Sequence, residues 1–549
     1  MPKKRAIMSK SNKKATILKN YAKLAKTLRR DIRLSDMQDE GITRDMISHH
    51  FGSLSALDDQ ARASFPNKFF DVSVESLYSP KAISNLRDRV ANCKKFVITT
   101  AVNGCDVHDD FYAALKKYCK TNDAQLLVLV SSDPAANLPV YNRKWGTISA
   151  KLQNDMIVLE DTRLNSNVFI STIKLSAKSI DPTTGLGRIG QRNGTFIYAS
   201  PKQRLRAVAT SNKKLPHFLM TTGSVTVPNY NTELYMSQRT AYIAENDHVL
   251  GAIIVEIVDD QIYHFRQIQA NSKGVFFDLG KEYSANSIKT SRPEAFILGD
   301  WHSGSTDPTA RRAWEEVSLL LKPKKIFLHD AFDGLSINHH EENKHILKAK
   351  RAETGQLSLE SELKGLAQDL QDMLDLTDEV IIVKSNHDVF LEHYLQKGKY
   401  VEDPHNHKLA LKIASAYLDG LDPLKFGVSL FFQDKEKWSK VRWLSIDDDF
   451  QVEGIQCGAH GQLGSNGAKG SLQAMEAAYG NSVSGHSHTP EILRGAWQVG
   501  TSSLLKLEYN RGASSWLHSS CLVYPGGARQ MINSIEGSWR LELKNKKRK

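Results

Sequence analysis

Three apolar, strand-like segments alternate with two helical segments between residues 294 and 388, and each strand-like segment ends in polar residues. The strand-like segments are EAFILGDWH, KKIFLHDAFDG and EVIIVKSNHD, and the helical ones are ARRAWEEVSLLL and LESELKGLAQDLQDML. Strands that alternate with helices of this length predict β-α-β units, in which the strands pair in parallel. Ligands of open α/β sheets bind at the carboxyl ends of the strands. The pattern therefore predicts that three strands deliver Asp, His and Asn side chains to one edge of a sheet.

Ten polar side chains follow these strands or lie in two later histidine segments, QVEGIQCGAHG and SGHSHTPEILRG. They are Asp300, His302, Asp330, Asp333, Asn386, His387, Asp388, His460, His486 and His488. Carboxylate, imidazole and amide groups suit divalent metals such as Mn, Fe or Zn. Each residue alone has an ordinary interpretation as a strand-end cap, a turn residue or a hydrogen-bonded polar group. Their joint order is the stronger signal, and it favours a metal site.

The ordered set D-x-H, D-x-x-D, N-H-D, H and G-H-x-H resembles the calcineurin-like metallophosphoesterase superfamily, over roughly residues 293–510. The resemblance implies an α/β fold in which a β-sandwich is flanked by helices, and two divalent metal ions. It implies that the first ion is held by Asp300, His302, Asp330 and His488. It implies that the second ion is held by Asp330, Asn386, His460 and His486, with Asp330 bridging.

The resemblance also implies that His387 is a proton donor to the leaving oxygen and not a metal ligand. We expect Asp388 or Asp333 to orient this histidine. The chain departs from the family at two backbone positions, because His329 and Ser385 stand where the family usually has glycine. Neither residue is predicted to be a ligand.

The superfamily, by this resemblance, hydrolyses phosphoproteins, nucleotides, phospholipids and nucleic acids, so the ligand set alone does not choose a substrate. The net charge of +12 and an isoelectric point near 9.2 favour a polyanionic partner. Leu18, Tyr21, Leu24, Leu28 and Ile32 recur at helical spacing in a Lys-rich segment, which predicts an amphipathic basic helix. The following segment, LSDMQDEGITRDMISHHFGSLSAL, has a helix-turn-helix layout, although an ordinary helical hairpin would give the same pattern.

Four regions follow from these patterns. We predict a basic, helix-turn-helix-like module at 1–75, a mixed α/β domain at 76–290, a metallophosphoesterase domain at 291–530 and a basic tail at 531–549. The middle region begins with a strand-helix-strand unit, in which KKFVITTAV and AQLLVLVSS flank a helix near residues 109–120. The five scattered cysteines argue against a disulfide scaffold. No apolar run reaches about 18 residues, so we expect no membrane-spanning helix.

The motif set, the chain length and the segment GITRDMISHHFGSLSAL also resemble the DNA-degrading nucleases made at the start of infection by T-five-like tailed bacteriophages. This resemblance implies a manganese-dependent DNase that degrades host DNA in the bacterial cytoplasm. Superfamily members often self-associate, so a homo-oligomer is expected. Two alternatives stay open: a phosphomonoesterase or protein phosphatase of the same superfamily, and a DNA-binding scaffold with little turnover.

Overall fold

The computed structural model describes residues 10–29, 32–131, 146–175, 179–211, 215–228, 238–507 and 510–541. Residues 1–9 of the predicted basic module and residues 542–549 of the predicted basic tail lie outside this described part. Within it, helices and several β-sheets alternate along the chain, so the predicted α/β class is confirmed.

Four helices form the N-terminal module: α1 (Lys10–Leu28), α2 (Leu34–Asp39), α3 (Arg44–Phe51) and α4 (Leu54–Ser64). The predicted amphipathic helix is present but ends at Leu28, so Ile32 lies beyond it. Ile17, Tyr21 and Ala25 lie one turn apart on α1 and are buried against the other three helices. The turn before α3 contains Gly41 at φ 74°, and the Thr43 hydroxyl accepts a hydrogen bond from the first turn of α3. The predicted helix-turn-helix layout is therefore present, while its contact with DNA stays a prediction.

Between residues 71 and 290, the described residues form fifteen strands and five α-helices. In chain order they are β1 (Asp71–Ser73), α5 (Val74–Leu77), α6 (Pro80–Ala91), β2 (Lys95–Val102), α7 (Asp109–Asn122), β3 (Gln125–Ser131), β4 (Thr147–Ser149), β5 (Met156–Val158), β6 (Thr162–Arg163), β7 (Val168–Ser171), α8 (Gly187–Asn193), β8 (Thr195–Tyr198), β9 (Gln203–Val208), β10 (His217–Thr222), α9 (Gln238–Asn246), β11 (Gly251–Ile257), β12 (Tyr263–Gln269), β13 (Phe276–Asp278), β14 (Lys281–Tyr283) and β15 (Ile288–Thr290). The predicted strand-helix-strand unit is confirmed, because β2 and β3 pair in parallel on either side of α7. These two strands belong to a five-stranded sheet of order β12-β11-β2-β3-β5.

The C-terminal region contains the remaining elements of the described chain. They are β16 (Ala295–Ile297), α10 (Pro308–Leu321), β17 (Lys325–Leu328), α11 (His345–Glu353), α12 (Leu359–Met373), β18 (Glu379–Ile382), α13 (Phe390–Gln396), α14 (His407–Leu418), α15 (Pro423–Ser429), α16 (Lys435–Trp438), β19 (Val441–Trp443), β20 (Gln451–Val452), β21 (Ile455–Gln456), α17 (Leu472–Tyr479), β22 (Ser482–Ser484), β23 (Glu491–Leu493), β24 (Ala496–Gln498), β25 (His518–Val523) and β26 (Arg529–Ser534). Strands β16, β17, β18 and β19 are parallel neighbours in a six-stranded sheet of order β19-β18-β17-β16-β25-β26. The three predicted parallel strands are thus confirmed.

A ten-stranded sheet crosses the boundary that the sequence places at residue 290. Its order is β20-β21-β22-β24-β23-β9-β10-β8-β7-β6, so half of its strands come from each side of that boundary. The junction is the antiparallel pair of β9 and β23, in which Leu205 faces Ile492 and Arg204 faces Leu493. The domain limits themselves stay a prediction, but the two regions share one hydrogen-bonded sheet.

Side chains from all three large sheets form one hydrophobic core. Ile98 and Val255 of the five-stranded sheet, Phe218 and Trp497 of the ten-stranded sheet, and Phe327 of the six-stranded sheet belong to the same buried cluster. A second cluster places α10 and α12 on the other face of the six-stranded sheet, through residues such as Trp314 and Leu366. The six-stranded sheet therefore packs one face against the shared core and the other face against α10 and α12.

The end of the described chain is folded. Strand β26 runs through Ser534, and the Trp539 side chain is 3% exposed, so the predicted tail boundary at residue 530 falls inside a strand. Residues 531–541 therefore belong to the folded region. Among the described residues, the helices are too short or too polar to cross a bilayer.

Arg62 ties α4 to strand β1, which pairs with β4, and we expect its removal to destabilise the fold. Its guanidinium lies 2.8 Å from Asp58 and 2.8 Å from Asp71, both buried. The substitution Arg62→Met would leave two buried carboxylates without their cation, and we expect the free energy of unfolding to fall by about 3–5 kcal/mol in a urea titration. The control is Arg87→Met, whose 69%-exposed side chain pairs with Glu160 and should contribute about 0–1 kcal/mol. Equal losses in both variants would contradict this role of Arg62.

Candidate metal centre

Loops from two sheets bring the predicted ligands to one place. In the six-stranded sheet, Asp300, Asp330 and Asn386 follow the parallel strands β16, β17 and β18. In the ten-stranded sheet, His460 follows β21, and the neighbouring parallel strand β22 precedes the His-x-His pair. Because parallel strands end at the same edge, each sheet contributes a row of side chains, and the two rows face each other.

The first group consists of two carboxylates and two imidazoles, and all four side chains are buried. One ligand atom of each lies within 4.8 Å of the others, in the set Asp300, His302, Asp330 and His488. The Nε2 atoms of His302 and His488 are 3.1 Å apart, and His488 Nε2 is 3.2 Å from Asp300 Oδ2. This is the set that the family resemblance assigns to the first ion, and its atoms could hold a metal.

The second group shares Asp330 with the first. His460 Nε2 lies 3.4 Å from Asp330 Oδ2 and 3.1 Å from Asn386 Oδ1. His486 Nδ1 lies 3.0 Å from the same Asn386 oxygen. Asn386 and His486 are half-buried whereas His460 is 2% exposed, so the opening of the centre lies on the Asn386 and His486 side.

The donor set fits a cation because its buried oxygens are otherwise unpaired. Asp300 Oδ1 and Asp330 Oδ1 are buried and have no hydrogen-bond partner among the described residues. Leaving a buried carboxylate oxygen unpaired reduces the stability of the fold by on the order of several kcal/mol, comparable to the loss of a charged hydrogen bond, unless a cation compensates it. Oxygen and imidazole nitrogen donors suit borderline divalent metals.

The backbone around the centre is strained. Four of the seven predicted ligands have positive φ: His302 at 50°, Asp330 at 44°, His486 at 79° and His488 at 59°. Residues with side chains avoid this left-handed region, and such outliers cluster at functional sites. A side chain at Gly485 would bring its Cβ within 2.1 Å of Asp300 Oδ1, so only glycine allows this close approach.

Burial and neighbouring charges shift the pKa values of Asp330 and His302 in opposite directions. Burial alone would raise the pKa of the Asp330 carboxyl, but nearby imidazoles, led by that of His460, hold it well below its usual value. For His302, burial alone would lower the pKa of the imidazole, but the carboxylates of Asp333, Asp330 and Asp300 raise it to about 9. A metal bound here would displace the imidazole proton, since ligands bind in their deprotonated form.

Asp333 and His387 lie at the side of the first group. Asp333 Oδ1 is 3.2 Å from His302 Nδ1, and the Ser305 hydroxyl donates to its other oxygen. His387 Nδ1 is 2.9 Å from the backbone oxygen of Asp333, and the His387 ring is 4.7 Å from the His302 ring. Asp333 therefore orients both histidines, one through its carboxylate and the other through its carbonyl.

Asp388 has a different place from the one expected. Its carboxylate accepts hydrogen bonds from the backbone N–H groups of Phe332 at 3.2 Å and Ser385 at 3.1 Å. It thus ties the loop after β17 to the loop after β18 and does not point its acceptors at His387. We assign it to loop positioning, and the expectation that it orients His387 is not supported by these contacts.

Asp369 of α12 is a supporting residue that the sequence did not single out. Its Oδ2 accepts hydrogen bonds from Trp301 Nε1 at 2.8 Å and from the Ser303 hydroxyl at 2.7 Å, on either side of His302. Arg311 Nη1 pairs with the other oxygen at 2.7 Å. The one available signal was an acidic residue among the buried positions of a predicted helix.

Comparisons with known proteins give one extended similarity. No family model matches the chain. The chain is 28% identical over 477 residues to Protein A1 of Escherichia phage T5, covering 81% of this chain and 83% of that protein. Among solved structures, Vps29 of Chaetomium thermophilum aligns with 36% of this chain and 97% of its own, at 11% identity and a TM-score of 0.20. The first similarity supports a bacteriophage context.

Metal binding should depend on the shared carboxylate. A ligand at about 100 times its Kd stabilises the folded state by about 2.7 kcal/mol, so Mn²⁺ should raise the Tm of the wild-type protein above its value in EDTA. We expect Asp330→Asn to lose this shift, because Asp330 lies in both groups. The control is Asp278→Asn, a buried carboxylate of β13 whose removal should lower Tm but leave the Mn²⁺ shift intact. A full shift in Asp330→Asn would contradict the shared-ligand geometry.

Proposed function

We propose that the chain is a metal-dependent deoxyribonuclease of the calcineurin-like metallophosphoesterase type, and that it uses two divalent ions, Mn²⁺ in preference to others. The observation that carries the proposal is the clustering of Asp300, His302, Asp330 and His488, whose ligand atoms lie within 4.8 Å of one another. Asp330 belongs to this group and its Oδ2 also lies 3.4 Å from His460 Nε2, which suits a carboxylate shared by two ions. The order of the motifs along the chain supports the same assignment.

When bound, two divalent ions would supply positive charge at the phosphoryl group and activate the attacking water. The protein's own side chains would bind the ions and exclude bulk water from the buried part of the centre. A side chain at the opening would donate a proton. His387 is placed for the last task, since its side chain is 18% exposed and lies beside His302. Its Nδ1 faces the Asp333 carbonyl, so Nε2 is the atom from which it would protonate the leaving oxygen.

Helix α1 supports nucleic acid as the substrate. It contains six lysines and no acidic residue, and its apolar face is buried in the N-terminal module. Lys19, Lys23 and Lys26 are exposed and lie on one face at intervals of four and three residues. Such a row can contact successive phosphates, and lysine-phosphate contacts supply most of the affinity of non-specific DNA binding.

The similarity to a phage protein supports a role in infection. We infer that the enzyme degrades host DNA early in infection, in the cytoplasm of the bacterial host. A DNA-binding scaffold with little turnover agrees less well with the structure. The unpaired buried oxygens of Asp300 and Asp330 would then destabilise the fold and serve no catalytic purpose. A phosphomonoesterase or protein phosphatase would use the same centre, and only the substrate separates it from a DNase.

The direct test is cleavage of supercoiled plasmid DNA by the purified protein with Mn²⁺, Mg²⁺, Zn²⁺ or EDTA. We expect cleavage with Mn²⁺ and none with EDTA. p-Nitrophenyl phosphate serves as the parallel monoester substrate. Release of phosphate from it with no cleavage of DNA would replace the nuclease proposal with the phosphatase alternative.

The substitution His387→Asn should separate catalysis from metal binding. We expect turnover of DNA to fall by about 10²- to 10⁴-fold, the usual contribution of one positioned acid, while metal occupancy stays as in the wild type. The loss should shrink with a p-nitrophenyl phosphodiester, whose leaving group needs no proton. His393→Asn, at a half-buried histidine of α13, is the control and should keep full activity. Loss of a metal ion from His387→Asn, measured by elemental analysis, would contradict the proton-donor role.

Removing the charges of Lys19, Lys23 and Lys26 on α1 should weaken DNA binding and make it less dependent on salt concentration. Each phosphate contact contributes roughly 0.9 to the slope of log K against log salt on duplex DNA, so Lys19, Lys23 and Lys26 changed to Gln should lower the slope by about 2–3. Hydrolysis of a small phosphodiester should not change. The control removes the same charge from exposed Lys408, Lys412 and Lys425 of α14 and α15. Equal effects of both triple variants in fluorescence anisotropy would show that net charge matters and α1 does not.

A further inference from the structure

The imidazole of His329 lies directly behind one of the proposed ligands. His329 follows β17, precedes Asp330 and is fully buried, with a relative exposure of 0%. Its Nδ1 lies 3.3 Å from Nδ1 of His460, and the two rings are 5.4 Å apart and inclined by 31°. Two nitrogens at this distance form a hydrogen bond only if one carries the proton and the other is the acceptor.

The position of His460 decides which nitrogen carries the proton. Its Nε2 faces Asn386 Oδ1 at 3.1 Å and Asp330 Oδ2 at 3.4 Å, where the second ion would bind. A ligand nitrogen must present its lone pair, so the proton of a metal-bound His460 sits on Nδ1. That Nδ1–H would then donate to Nδ1 of His329, whose own proton would sit on Nε2, a buried atom with no hydrogen-bond partner among the described residues.

We propose that His329 is a positioning residue for the second metal ion, and that it acts by accepting the hydrogen bond from His460 Nδ1–H. This contact fixes the tautomer and the ring angle in which His460 Nε2 can bind the ion. The inference rests on the two-metal centre of the proposed function and goes beyond it, because it gives a role to a residue that is neither a ligand nor a catalytic group.

The hydrogen-bond partner of His460 is unusual when it is compared with that of His302, a proposed ligand of the first ion. Metal-bound histidines generally donate their other N–H to a carboxylate, a backbone carbonyl or water. His302 follows that rule, with Asp333 Oδ1 at 3.2 Å from its Nδ1. A carboxylate at position 329 would be a third buried negative charge beside Asp300 and Asp330, and like charges in a buried site oppose one another. A neutral imidazole supplies the acceptor without that charge.

The test compares three substitutions that differ in where the acceptor lies. Asn carries an oxygen at the δ position, where His329 has Nδ1; Gln carries it one bond further out; and Phe keeps the ring but has no acceptor. We measure Mn²⁺ binding by titration calorimetry on the full-length protein, together with the electron paramagnetic resonance signal of the coupled ion pair. The control for loss of a buried imidazole is His264→Phe in β12, whose side chain is 1% exposed.

We expect His329→Asn and His264→Phe to bind two ions as the wild type does. His329→Gln and His329→Phe should bind the first ion normally and the second about 10- to 100-fold more weakly, the usual effect of losing a partner behind a ligand. Unchanged affinity in His329→Phe, or equal losses in His329→Asn and His329→Gln, would overturn the proposal. A wild-type protein that binds fewer than two ions would instead overturn the two-metal centre itself, so the two failures are distinct.

Discussion

Two buried carboxylates, Asp300 and Asp330, lie together in the first metal-ligand group, and each has one oxygen without a hydrogen-bond partner among the described residues. Burying charge in this way is unfavourable unless a cation or a protonated imidazole stands beside it. The surrounding histidines supply part of that compensation and hold the pKa of the Asp330 carboxyl low. The positive φ angles and the glycine at 485 serve the same end, because they let the loops bring these groups together.

The six-stranded and ten-stranded sheets both contribute ligands to the centre. The six-stranded sheet supplies Asp300, Asp330 and Asn386, and the ten-stranded sheet carries the loops of His460 and of the His-x-His pair. The strands β6 to β10 extend that second sheet through the pairing of β9 with β23. The middle region therefore supports the sheet whose loops carry three of the seven predicted ligands, which gives it a structural part in the site.

Local patterns predicted the parallel strands and the N-terminal helices, because strand-helix alternation and helical spacing are written in consecutive residues. The convergence of the ligands could also be expected, since parallel strands end at one edge. The pairing of β9 with β23 could not, because it joins residues nearly three hundred positions apart and leaves no local signal. The same holds for Asp369, His329 and Asp388, whose partners are set by tertiary contacts.

Anomalous diffraction from crystals grown with Mn²⁺ tests the central claim most directly, because it locates ions without assuming a substrate. We predict two peaks about 3.5–4 Å apart, one on each side of Asp330, the first among Asp300, His302 and His488 and the second beside Asn386, His460 and His486. A single peak, or peaks away from Asp330, would contradict the account of a two-metal centre built around that carboxylate.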